Sequence, residues 1–504
     1  MTEEYIELGI EQLDQDNPEK ALHYFQSAYA LQPDNDGVLF YLGLTHHRLE
    51  HQEEALRFYR LSLAVEPRSA ETWLNLGNCL DEMNQLEEAE DAYRTASNLD
   101  PENDDVYVEW GIFYYNQDRW EEALACFEQA QRINPNNEDA LWQQGDALVQ
   151  MEHYEEALEV AQTLTRRMPK DWKAWSNYAW CSLKLGLYDQ VIPAVRKMNR
   201  LSPKNPSGYE MLGIAMLETG HPDKALPQYE QVIKLDPDDW AALGSKGYCL
   251  LLMGRYKEAL RCYEKVTREV DDDHEYWNCM GVALHKLKRD DEALKCYQKA
   301  LELYPEYAVA ISNIADVHCD RKEYPQAEML YRKAYGLDPE NRRSDLFSVA
   351  LCMFNTKRFA DMVPLLQPLL PYAKEDEQNY AMLIGVAYKN LQQYEEAIRY
   401  FKLQLENSQD GPYSSACWFN IALCEKELKH LNEAEATLKK ALEFFDSDEE
   451  KAMCHFGLGE LYLEQKQYSQ ALEHLDQAVA LDPEIEDYAA AREVAIRRIE
   501  QSQK

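Results

Sequence analysis

Twelve cysteines, twelve histidines and 91 Asp and Glu side chains give this 504-residue chain material for metal binding, thiol nucleophiles or acid–base catalysis by paired carboxylates. Each chemistry demands close and particular spacing. No Cys-x-x-Cys pair occurs, so reduced thiols are expected rather than a disulfide scaffold or a metal site. His47 and His51 stand four residues apart, as two ligands on one helix face would, but no carboxylate or Cys completes the set, and they are read as a solvated pair. The carboxylate pairs Glu53-Glu54, Glu87-Glu88, Glu121-Glu122, Glu155-Glu156 and Glu395-Glu396 could suit general acid–base work. They recur in one setting, however, just before an alanine, where acidic residues complement the dipole of a starting helix. The glycines are single, not clustered into a phosphate loop. The residue chemistry thus predicts no catalytic constellation, no metal and no cofactor.

The elements that position these residues are set by a repeat. Small residues fall at Gly9, Gly43, Gly77, Gly111, Gly145, Ala179, Gly213, Gly247, Gly281 and Ala315, each 34 residues after the last. The register then loosens to 35, 35, 37 and 37 through Ala350, Gly385, Ala422 and Gly459, with the extra residues expected in turns. Twelve residues after each small residue comes an alanine (Ala21, Ala55, Ala89 and onward), with Val191 and Met362 as the two exceptions, and twenty-four after it usually a proline (Pro33, Pro67, Pro101 and onward). Lys374, Gln409 and Asp446 are among the exceptions in the proline column. Aromatics such as Phe25, Tyr59, Tyr93 and Phe127 follow four residues after the alanine. Paired helices approach closely where small residues face each other; large rings fill the gaps beside them, and proline ends the second helix. Ten repeats in strict register are expected over 2–342, four looser ones over 343–485, and a capping helix and tail over 486–504. Pro193, Pro227 and Pro364, two residues past the alanine column, are expected to shorten or bend their helices.

The columns, clearest in WLNLGNCLDEMNQLEEAEDAYRTASNLDP from Trp73, resemble the tetratricopeptide repeat family over almost the whole chain. The resemblance implies an all-α fold, a right-handed superhelix or α-solenoid of about fourteen helix-turn-helix units, whose first helices line a concave groove. It further implies a non-enzymatic scaffold or adaptor holding a peptide segment or protein partner in that groove. The alternative is a dedicated chaperone or regulatory subunit for a specific client.

With the small residue counted as position 8, positions 4, 7, 8 and 11 of the first helix face its partner, and positions 2, 5, 9 and 12, flanked by 6 and 13, form the opposite stripe. Asn75, Asn177, Asn313 and Asn420 occupy position 6, with Asn78 and Asn278 at neighbouring stripe positions. An amide side chain offers donors and an acceptor, so this ladder suits the backbone of an extended peptide; equally, Asn is common there and is solvated when unoccupied. Tyr41, Tyr115, Trp142, Trp180, Tyr248 and Phe347 place aromatic surface among the amides. Asp81, Glu109 and Asp146 are among the acids of the first five repeats, favouring a basic ligand in the N-terminal half. In the family, a clamp for the acidic C-terminus of heat-shock chaperones needs Lys at position 5 and Arg at position 6; position 5 is never Lys here and position 6 never Arg, which disfavours that role.

Composition narrows the partners. With 52 Lys and Arg against 91 acids, the formal charge of -39 opposes nucleic acid and anionic lipid. Neither a secretory leader nor a membrane span is visible, and the default compartment is the cytoplasm.

Overall fold

A computed structural model describes residues 1–374, 378–407, 414–445 and 447–502. Gln409 and Asp446 of the proline column lie outside the described residues. Among those described are twenty-nine α-helices, numbered α1 to α29 in chain order, and one 3-10 segment, with no strand. In chain order they alternate as the first and second helices of fourteen repeats, followed by the single helix α29 (Glu486–Ser502).

Local chemistry sets both ends of each pair. Most of the first helices begin on capping side chains: Asn35 accepts from the Val38 amide, Ser69 from Thr72, Asn137 from Ala140 and Asp171 from Lys173. The turn to the second helix always contains a residue in the left-handed region, seven after the small residue. It is glycine at Gly186, Gly220 and Gly254 but a side-chain residue at eleven places, among them Asp16, Glu50 and Asn84. The Glu50 amide bonds the His47 carbonyl at 2.9 Å and the His51 amide bonds that of His46 at 2.9 Å, the paired bonds of a Schellman stop. Five of the second helices open on paired glutamates, as α4 (Gln52–Val65) does with Glu53 and Glu54.

Within a pair, the ring of the second helix lies directly on the glycine of the first. A Cβ placed on Gly43 would sit 2.6 Å from Tyr59 Cδ1, and one on Gly281 2.5 Å from Tyr297 Cε1. Phe25, Tyr59, Phe127 and Phe401 are fully buried in this way. Such rings each bury a large apolar area within a short helix pair.

The chain divides into two compact units, residues 1–253 and 254–504. Within each unit the first helices of successive repeats pack on one another, for example α5 (Ala70–Glu82) on α7 (Asp104–Tyr115) and α17 (His274–Lys286) on α19 (Ala308–Asp320), whereas second helices make no comparably close approach. The first helices therefore form the inner row of each unit. At the end of the second unit, α29 packs on α28 (Tyr468–Leu481) and α27 (Asp448–Glu464), burying Tyr488 and Ala495.

Two local expectations about helix length are corrected. The residues added before Gly459 do not lengthen a turn: α27 has 17 residues against 13 in α5, because Ser447 caps the Glu450 amide and starts the helix early. Pro193 and Pro227 do not shorten their helices, since α12 (Tyr188–Leu201) and α14 (Pro222–Leu235) keep 14 residues. Each proline is the sixth residue, and the buried side chains just after it, Val195 and Met198 or Tyr229 and Val232, hold the helix through the missing bond. Repeat 11 differs: α22 (Phe359–Leu366) stops after eight residues, and Gln367–Tyr372, with Pro368 and Pro371, continues as 3-10 helix.

His47 is not solvated. Its Nε2 lies 2.9 Å from Glu82 Oε2 of the next repeat, while His51 packs against His46 with ring centroids 5.7 Å apart.

Candidate partner-binding surface

Three of the expected site residues converge in the first unit. Trp142 and Asp146 on α9 (Glu138–Gln150) and Asn177 on α11 (Trp172–Lys184) line an open cleft of about 470 Å³, joined by Asp171, Trp172 and Lys173. The Asn177 amide points at Asp146, with Nδ2 to Oδ1 at 3.5 Å. Burial holds the Asp146 carboxyl above the usual range, and the Asn177 hydrogen bond opposes this only in part.

A second group surrounds Tyr93. Its hydroxyl donates to Asn78 Oδ1 at 2.7 Å, and burial, then the charges of Asp81 and Glu109, raise its pKa. Asp81 and Glu109 are themselves pushed up, first by burial and next by neighbouring acids: Glu82 for Asp81, Asp105 and Asp139 for Glu109. The first unit thus presents partly desolvated carboxylates along its inner row of helices.

The asparagines depart from a free ladder. Asn75 donates to the Glu71 carbonyl at 2.9 Å and Asn420 to that of Ala416 at 2.7 Å, in each case the carbonyl four residues back on the same helix. Asn420 also accepts from Lys389. Asn278, 5% exposed, accepts from Asn313 Nδ2 at 2.8 Å. With no competing ligand a helical amide takes the nearest carbonyl or neighbour, a competition that residue type and spacing do not reveal.

The aromatic positions also divide. Tyr41 stacks on Phe25 at 5.2 Å, Phe347 meets Tyr380 edge-on at 6.0 Å, and Tyr115 packs against the core of the first repeats. Trp180 carries the Lys184 ammonium over its ring at 4.8 Å, and Tyr248, 46% exposed, stands out into solvent. Among the described residues, no three His, Cys, Asp or Glu side chains converge as metal ligands, and no helix is long and apolar enough to cross a membrane. Ten cysteines are buried; Cys279 and Cys319, both on the inner stripe, are half-buried. Burial pushes the Cys126 and Cys417 thiols up to about 12.

Stacked helix pairs of this kind define a repeat protein of the α-solenoid class, whose elongated surfaces serve protein–protein interaction. Residues 216–281, 272–340, 379–410, 415–446 and 452–485 match tetratricopeptide repeat families, and residues 5–185 match the cilia and flagella-associated protein 70 C-terminal domain. The chain belongs to the tetratricopeptide repeat proteins. Solved structures similar to it include YrrB, described as a TPR protein with an unusual peptide-binding site, at 24% identity over 37% of this chain and 97% of that one, with a TM-score of 0.35. The APC/C hetero-tetramer Cut9–Hcn1 is similar at 16% identity over 97% of this chain and 96% of that one, TM-score 0.37. Naa15/Naa10 bound to HypK-THB is similar at 14% identity over 93% and 97%, TM-score 0.36. No curated protein matches the chain by sequence.

Proposed function

We propose that this protein is a non-enzymatic scaffold that holds a basic, extended peptide segment of a partner protein along the first helices of residues 1–253. The observation that carries this reading is the meeting of Trp142, a desolvated Asp146 and Asn177 in one open cleft between successive repeats. A Lys or Arg would lay its stem on the indole and its charge against Asp146, while Asn177 pairs with the peptide backbone. Asp81 and Glu109 extend the same preference toward the N-terminus.

Purified full-length protein titrated with a fluorescent peptide of alternating Lys and Ala, and with its Glu counterpart, tests the reading. The Lys peptide should bind and lose affinity as salt rises, because exposed charges are screened over about 8 Å at physiological ionic strength. Asp81→Lys, Glu109→Lys and Asp146→Lys together should abolish that preference. Equal binding of both peptides, or a Lys peptide indifferent to the three reversals, overturns it.

A further inference from the structure

The acidity of the chain is interrupted once. Residues 160–204 carry nine Lys and Arg against two Asp, whereas outside that stretch 43 basic residues face 89 acidic ones. The fold gathers part of this stretch around an open cleft of about 730 Å³ between α10 (Tyr154–Arg167), α11 and α12. Its walls come mainly from the second helices α10 and α12, away from the inner row to which Asp146 and Asn177 belong.

Four cations, Arg166, Arg196, Lys197 and Arg200, and one carboxylate, Asp189, line the cleft, and among the described residues none of the four cations forms an ion pair. Arg166 reaches only Gln162, at 3.5 Å. Elsewhere in the chain exposed arginines are commonly paired, as Arg60 is with Glu88 at 2.8 Å and Arg358 with Glu328 at 2.7 Å. The floor is aromatic and fixed: the Trp175 indole donates to the Pro169 carbonyl at 3.1 Å, the Tyr178 hydroxyl donates to Gln190 at 2.7 Å, and the two rings meet edge to face at 6.4 Å. Pro193, unpaired at its backbone nitrogen by its own chemistry, lies on the α12 wall.

We propose that this outer cleft is a docking site for a short acidic segment of a partner protein, with carboxylates on Arg196, Lys197, Arg200 and Arg166 and an apolar or aromatic residue against Trp175 and Tyr178. Charge complementarity selects the occupant. Unpaired guanidinium groups around a recess suit carboxylates, and the rigid rings supply apolar contact at little entropic cost. A long polyanion or an anionic bilayer would extend past the cleft onto the acidic remainder of the chain, where the field repels it. A short acidic peptide stays within the positive footprint. The site is independent of the basic-peptide surface on the inner helices and would let one scaffold hold two partners of opposite charge on opposite faces.

The experiment uses the full-length protein and a fluorescein-labelled peptide with three glutamates on either side of one phenylalanine, followed by fluorescence anisotropy at low and physiological salt. Saturable binding is expected, weaker at the higher salt and at least about tenfold weaker in the variant Arg196→Glu, Lys197→Glu, Arg200→Glu. The Gln version of the three sites, which removes charge without reversing it, should lose affinity in the same direction and serves if the reversed variant does not fold by circular dichroism. Four results overturn the proposal. The acidic peptide fails to saturate; its affinity is unchanged in both variants; a single-stranded DNA oligonucleotide or phosphatidylserine vesicles bind more tightly at the same sites; or the wild-type protein self-associates by sedimentation and the variants do not, which would make the occupant a second copy.

Discussion

Substituting alanine for glycine in the small-residue column separates ring packing from helix propensity, because the column is not uniform. Gly43 lies under Tyr59, and an added Cβ would meet Cδ1 at 2.6 Å and Cε1 at 2.7 Å, closer than carbon atoms approach. Gly145 has no ring above it: sixteen residues on stands Ala161, and the nearest atom to an added Cβ is Val160 Cγ1 at 3.3 Å. Both glycines are buried in helix interiors, so both substitutions gain about 0.5–1 kcal/mol from reduced backbone entropy. That term cancels in the comparison. What remains is the displacement of a fully buried tyrosine, an overpacking cost of about 1–3 kcal/mol. Repeat 10 pairs Ala315 with Tyr331 at the same two positions, so the ring is accommodated where neighbouring side chains are shaped for it, and unfolding is not expected. Gly43→Ala should thus lower the opening free energy of repeat 2 by about 1–3 kcal/mol relative to the effect of Gly145→Ala on repeat 5, which should be neutral or stabilising. Native-state amide exchange measures each repeat separately, which a global melt of a repeat array does not. Equal effects in the two repeats to within about 0.5 kcal/mol would refute the ring-on-glycine account.

Replacing Glu50 and Glu152, both at φ 59°, with glycine should raise the urea midpoint, because relief of left-handed strain of about 1–2 kcal/mol exceeds the added chain entropy, while Gly220→Ala at φ 74° should lower it. His455 and His474, with Nδ1 atoms 2.9 Å apart, are held below the ordinary histidine range, chiefly by burial. Protons absent in the folded state and gained on unfolding make their contribution complete above about pH 6.5 and progressively lost as pH falls through the depressed values. Opening of α27 and α28 by exchange should therefore become easier from pH 7.5 to 5.5, and His474→Gln should flatten that dependence. Amides of repeat 11 should exchange fastest among the interior repeats and those of α12 and α14 should not, since proline at the sixth position leaves a full helix while Pro368 and Pro371 replace one with a 3-10 segment.

The sequence by itself determined the repeat, the pairing of helices and the small-residue and aromatic columns, because these follow from short-range periodicity and from steric rules that act the same way in every unit. Paired glutamates at helix starts were legible for the same reason. The capping column of Asn35, Ser69, Asn103, Asn137 and Asp171 was equally open to inspection, and so was the charge inversion of residues 160–204, whose meaning required the cleft that collects it. Tertiary structure alone decided the rest. That Asn278 is buried against Asn313, that His47 finds Glu82 and that Trp142, Asp146 and Asn177 share one cleft all depend on how successive repeats are rotated against each other. Position within a repeat fixes the face on which a side chain stands. Its hydrogen-bond partner, and hence its availability to a ligand, is set by competition among groups about thirty residues apart in the chain, which no local pattern records.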